Sequence, residues 1–196
     1  MEKSKIKIWE LALLLALCVS LLEASVEVGR QSALSEKIVR LHVVADSDTA
    51  EAQALKIRVR DAVLAEIEPL LVEVDSAGEA LRRIEEGRDD IVSAAARAAG
   101  GEQVELRLGR ESYGYRQSGS YALPAGEYNS LRIILGEGEG RNWWGVIFPQ
   151  LDTSGGYAEA AKYLSDEELA IVFEEDSVTV RFRFLEILEK LRLWMK

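Results

Sequence analysis

The stretch Ile38-Val39-Arg40-Leu41-His42-Val43-Val44-Ala45-Asp46-Ser47-Asp48 sets the frame of the chain. β-Branched and leucine side chains suit a pleated, buried backbone, and Asp46-Ser47-Asp48 supplies turn chemistry, so 38–45 reads as a first strand running into a turn. Asp48 followed three positions later by Glu51 has the form of a capping box and predicts a helix starting there. Leu55, Val59, Val63, Ile67 and Leu71 recur at near-helical spacing, while Gln53, Lys56, Arg60 and Asp61 fall largely outside that stripe. Pro69 lacks an amide donor and should end or kink the helix. A second helix is expected from Ser76 to Ala99, through Leu81, Ile84, Ile91, Val92, Ala95 and Ala98, stopping at Gly100-Gly101.

Beyond Gly101 the period changes. Val104, Leu106 and Leu108 alternate with Glu105 and Arg107, as in a half-buried strand, and Tyr113–Gln117, Tyr128–Leu135 and Trp144–Phe148 read as further strands, the last stopped by Pro149. Asp166–Ala170 reads as a short helical piece. Ile171-Val172-Phe173 facing Val178-Thr179-Val180 predicts a hairpin, and Leu185, Leu188 and Leu191 predict a closing helix over 184–196. The fold class that follows is α+β: a single domain with a mixed, mostly antiparallel sheet, two long helices after the first strand and a C-terminal helix.

The start of the chain reads differently. Lys3, Lys5 and Lys7 precede the apolar run Leu11 to Leu22, followed by Glu23 and Ala24, which is the order of a signal peptide or an N-terminal membrane anchor over 1–24. The run is short for a span, which needs about 20 apolar residues. Residues 25–37 are mixed and polar, a linker or helical lead-in, and the domain is expected over 38–196. Any membrane contact is assigned to the N-terminal apolar segment. Of the 196 residues, 24 are Lys or Arg and 34 Asp or Glu, a formal net charge of −10 that would repel a phosphate backbone, so nucleic acid is not expected as a partner. Cys18 is the single cysteine, which leaves the domain without an internal disulfide.

His42 is the single histidine, so zinc sites and Cys-His or Ser-His-Asp catalysis have almost no material, and no metal, cofactor or catalytic set is assigned. Inside a strand, His42 fits a structural role better than a catalytic one; it is kept as a candidate contact. Gly136-Glu137-Gly138-Glu139-Gly140 looks superficially like a phosphate cradle. Its carboxylates and the strand that follows argue for a turn instead, because a cradle opens a helix whose dipole faces the phosphate. Asp46, Asp48 and Asp61 could serve acid-base chemistry or hold a hard cation, yet capping accounts for Asp48 and turn geometry for Asp46. Lys56 and Arg60, four apart on one helical face, could meet an acidic partner or remain solvated. In Arg141-Asn142-Trp143-Trp144, adjacent tryptophans on a strand must point to opposite faces, so one belongs to the core and the other packs under a loop or lies exposed. An exposed aromatic beside Arg141 and Asn142 has the make-up of a binding hot spot.

Leu41–Asp48, Gln53-Ala54-Leu55-Lys56 and Val59-Arg60-Asp61, together with Gly140–Trp144 and Val146-Ile147-Phe148-Pro149, resemble in content and order the stage II sporulation protein R family. The resemblance implies an exported, non-enzymatic signalling protein, made in the forespore and delivered to the space between forespore and mother cell. There it would trigger the membrane-embedded aspartic protease that processes the precursor of sigma factor E. It also implies cysteines flanking Val146–Pro149, where this chain has Gly145 and Asp152. Two other readings stay open: a cell-wall enzyme using Asp46, Asp48 or Asp61 as acid and base, and a wall-binding module stacking sugars on Trp143 or Trp144. Under the signalling reading the expected contact surface is His42, Asp46, Asp48, Gln53, Lys56, Arg60, Asp61 and Arg141 to Trp144.

Overall fold

A computed structural model describes residues 7–151 and 153–173. Strand β1 (Val39–Val44) is followed by helices α2 (Ala50–Ile67), α3 (Ala77–Glu86) and α4 (Arg88–Ala99), then strands β2 (Val104–Tyr113), β3 (Arg116–Ser118), β4 (Tyr121–Leu123), β5 (Gly126–Leu135) and β6 (Asn142–Phe148). Helix α1 (Ile8–Glu36) precedes β1, and α5 (Gly156–Ala160) and α6 (Asp166–Phe173) follow β6. Strands β2, β5, β1 and β6 lie side by side in that order, and β3 pairs with β4 in a separate hairpin. β1 runs parallel to β5 and antiparallel to β6, while β2 and β5 are antiparallel, giving the mixed, mostly antiparallel sheet expected from the sequence.

All six residues of β1 are buried, because the sheet is covered on both faces. Val39, Leu41 and Val43 point with Leu131, Ile133, Leu135 and Ile147 at Val59, Val63 and Ile67 of α2 and at Ala80, Ile84, Ile91 and Ala95 of α3 and α4. The opposite face packs Tyr113, Tyr128 and Val146 against Leu34 of α1, Tyr121 and Leu123 of the hairpin, and Ala160, Leu164, Leu169 and Val172 at the end of the chain described. An irregularity in the β1–β6 register at Val39/Arg40 lets Ile147 and Phe148 both join the first core.

Several boundaries differ from the expectation, each for a local reason. The cap of α2 is Thr49, whose hydroxyl accepts from the Ala52 amide, and Asp48 is left free for another bond. α2 ends at Ile67, where Glu68–Leu71 tightens into a 3-10 turn around Pro69. The helix expected over 76–99 is two helices, so three follow β1. They meet at Gly87, where a Cβ would lie 2.6 Å from Leu70 Cδ1. The predicted hairpin is overturned on its first side. Residues 171–173 belong to α6, which begins with a reciprocal cap in which Ser165 Oγ accepts from the Glu168 amide and Glu168 Oε2 from the Ser165 amide. Val178–Val180 and the helix expected over 184–196 lie outside the described residues.

Residues 8–36 form one helix, long and apolar enough to cross a membrane, with none of its apolar window buried among the described residues. Its last turns belong to the globule: Leu34 is fully buried, the Gln31 side-chain amide donates to the Ala125 carbonyl, Arg30 pairs with Glu167, and Lys37, just beyond the helix, bonds Glu168 at 2.7 Å.

Ile133 sits at the centre of the sheet with no exposed surface. Ile133→Ala should lower the free energy of unfolding by about 2–5 kcal/mol, the range for truncating a buried large aliphatic side chain. Ile57→Ala, on the exposed side of α2, should change it by no more than about 0.5 kcal/mol. Urea unfolding of the two variants checks the pair.

Candidate functional site

The β1–α2 turn and the β5–β6 turn are locked together by side chains read above as contact candidates. Asp46 Oδ1 accepts from the Glu137 amide at 2.9 Å, and Asp48 Oδ1 from the Arg141 amide at 2.7 Å. The Glu139 and Gly140 amides donate to the carbonyls of Asp46 and Ala45. Gln53 Nε2 donates to the Ser47 carbonyl at 2.8 Å, and Lys56 Nζ donates at 2.7 Å to both Gln53 Oε1 and the Arg141 carbonyl. Lys56 is only 5% exposed, so its ammonium is spent inside the fold and does not meet a partner from the surface. Burial lowers its pKa and the nearby Arg141 lowers it further, against the pull of Asp48.

The glycines of the β5–β6 turn are needed for this closeness. Gly136 and Gly138 have left-handed backbones, and a Cβ on Gly140 would lie 2.3 Å from the Ser47 carbonyl oxygen. The run is therefore a turn, as its carboxylates suggest.

The lock aims Asn142, Trp143 and Trp144. Trp143 turns to the helix face, where the Arg60 guanidinium lies 5.0 Å from its ring centroid, and Arg60 also pairs with Asp61 at 2.6 Å. Trp144 turns to the other face and stacks on His42 with ring centroids 3.6 Å apart. Neither tryptophan is wholly core or wholly exposed; both are half-buried. Together with Arg60, Asp61, Leu64, Ile67, Leu71, Arg116, Ser118 and Gln150 they border an open cleft of about 400 Å³ beside β6.

Trp143 fits because residue 145 is glycine. A Cβ there would fall 2.3 Å from the indole, so the side chain expected at this position in the family would displace the ring. Asp152, the other departure, lies outside the described residues.

His42 is buried and anchors a polar network that the sequence reading missed. Its Nδ1 lies 2.9 Å from Glu111 Oε1 on β2. Ser130 Oγ donates to Glu111 Oε2 at 2.9 Å and lies 2.6 Å from the Tyr113 hydroxyl, and Arg132 sits 3.3 Å from Glu111. Arg40, two residues before His42 on the same face, places its guanidinium 3.9 Å from the Tyr113 ring centroid. Burial pushes the His42 pKa down, outweighing the Asn142 side chain and Glu111, which favour the charged imidazole. Burial would raise Glu111, but His42, Ser130 and Arg132 outweigh it and hold the carboxyl below its ordinary value. The imidazole is therefore neutral near pH 7, and there Ser130 and Arg132 carry the carboxylate. Arg40 in mid-strand between apolar neighbours was the sequence sign that this face holds more than a lone histidine.

Chemically the site is a braced aromatic cleft above a buried polar network. Among the described residues no cluster of three or more His, Cys, Asp or Glu could hold a metal ion.

The segment that builds all of this is the segment that comparison with known proteins picks out: residues 35–154 match the model of a family described as stage II sporulation protein R. The chain belongs to the stage II sporulation protein R family. A curated relative, stage II sporulation protein R of Bacillus subtilis (strain 168), is 34% identical over 142 residues, an alignment covering 69% of this chain and 62% of that protein. The chain thus spans about three-fifths of the relative's length. No solved structure matches. Family membership ties the chain to sporulation, and the family's description names no enzyme class. The matched residues include the sheet, the turn lock, both tryptophans and most of the cleft wall, and stop before α5.

The His42–Glu111 network carries a pH signature. The unfolded chain takes a proton on histidine near its ordinary pKa of about 6.5, which the folded chain resists, so stability should fall on acidification through that pH. The Glu111 contribution, present above the ordinary carboxyl pKa, is lost at still lower pH. His42→Gln should flatten the pH dependence of the urea midpoint between pH 7.5 and 5 while leaving the steeper acid loss. Separately, Gly145→Ala should shift tryptophan emission by moving Trp143, whereas Gly109→Ala, where a Cβ meets nothing within 4 Å, should not.

Proposed function

We propose that this chain is an exported sporulation signal that activates a membrane-embedded aspartic protease, the one that processes the precursor of sigma factor E, by contact and without catalysis of its own. The observation that carries this reading is the coincidence of the family-matched segment with a rigidly mounted aromatic cleft. A surface whose tryptophans are braced from behind presents area to a partner with little ordering cost, which is how a ligand-like protein gains affinity. The chemistry of the candidate residues points the same way. Asp46 and Asp48 each accept a backbone amide, Lys56 is enclosed, and Asp61 is held by Arg60, so the side chains first considered for acid-base work are occupied in positioning.

The N-terminal helix supports delivery across a membrane, since its apolar stretch is exposed and can serve either as an export leader or as an anchor. The site of action is then the space between forespore and mother cell.

Trp143 is the discriminating residue, because it faces the cleft while Trp144 is tied to the buried network. In sporulating cells Trp143→Ala should cut conversion of the sigma-factor precursor by roughly tenfold or more, the loss expected when one contact worth about 1.4 kcal/mol goes. Circular dichroism should show the fold intact. Normal conversion with a folded Trp143→Ala protein would remove the cleft from the activating surface.

A further inference from the structure

The four-stranded sheet has two edges, and they are finished differently. β2 carries exposed charge along its outer run, with Glu105 and Arg107 paired across the strand surface, a pattern that discourages another strand from adding. β6 carries Trp143, Trp144, Gly145, Val146 and Ile147, with no charged side chain. Alternate residues of an edge strand aim their amides and carbonyls away from the sheet. Among the described residues, nothing hydrogen-bonds to the outward side of this stretch.

That open edge is recessed. Leu64 and Ile67 of α2 and Leu71 of the 3-10 turn after it rise on one side of it and Arg116 and Ser118 of β3 on the other, forming the walls of the cleft. A bulky domain surface cannot reach backbone groups at the bottom of such a trough, whereas a single extended chain can, and strand addition is a recurrent mode of peptide recognition. The wall chemistry narrows the occupant. The helix side offers Leu64, Ile67 and Leu71 between Asp61, which Arg60 pairs, and Glu68, while Arg116 stands exposed on the β3 side with no carboxylate ion pair among the described residues.

We infer that an extended segment of the activated protein adds as a fifth strand along β6, its apolar side chains against Leu64, Ile67 and Leu71 and a carboxylate on Arg116. This rests on the proposed activating role and specifies its contact.

The test places a photo-crosslinking amino acid in the full-length chain, in sporulating cells, at Ser118 in the cleft wall or at Glu105 on the opposite edge. Capture of the protease from 118 and not from 105 is expected. Hydrogen exchange on the captured complex should be slowed at least tenfold at the amides of 143–148. Arg116→Glu should reduce capture about tenfold, and Arg97→Glu, at an exposed position of α4, should not. Capture from 105 alone, capture of a second copy of this chain from 118, or capture from 118 without slowed exchange on β6 would each overturn the strand-addition model while leaving activation standing. Precursor processing that persists when the whole chain is deleted would instead overturn the activating role, and the inference with it.

Discussion

A lysine ammonium withdrawn from water must spend its donors on the protein, and Lys56 spends them on two segments that are distant in sequence. By bonding both Gln53 of its own helix and the Arg141 carbonyl, it ties the start of α2 to the start of β6. Asp46 and Asp48 complete the tie from the other side by accepting amides of the β5–β6 turn. Leaving the enclosed Lys56 ammonium unpaired would cost on the order of 1–3 kcal/mol or more, so this bond couples the two turns. The direction taken by Trp143 and Trp144, and with it the shape of the cleft, follows from that tie.

Behind β6 the second constraint is the opposite face of β1. Arg40 and His42 are polar side chains in a strand buried on both sides, and each is accommodated by aromatic surface: Arg40 against Tyr113, His42 beneath Trp144. Glu111 reaches in from the sheet edge to meet His42, supported by Ser130 and Arg132. Trp144 is thus shared between a buried network and an open cleft.

Much of the frame was legible in the sequence because periodicity is a property of single elements. The alternation at Val104–Leu108, the stripe from Leu55 to Ile67 and the β-branched run at 38–45 all fall where the structure has the corresponding strands and helix. What the sequence hid was which polar residues face each other. Asp48 looks like a cap three residues before Glu51, and only the arrival of Arg141 from far along the chain reassigns it, with Thr49 taking the capping role. Lys56 reads as a surface charge until β6 closes over it. Glu111, Ser130 and Arg132 carry no motif, since their meeting with His42 depends on strand order. The helical piece expected at 166–170 is present, but it runs on to 173: Ile171-Val172-Phe173 favours strands locally, yet the Ser165–Glu168 cap and burial of Leu169 and Val172 carry the helix through.

The way α1 is divided along its length separates two fates that a single helix would otherwise join. None of its apolar window is buried among the described residues, while anchoring contacts run from Arg30 and Gln31 through Leu34 and Lys37. Scission near Ala24 would therefore strip the greasy portion and leave the anchoring turns of α1 seated, so a released globule and a tethered one would present the same folded body. A chain built this way can exchange diffusion for tethering without redesigning anything beyond its first two dozen residues.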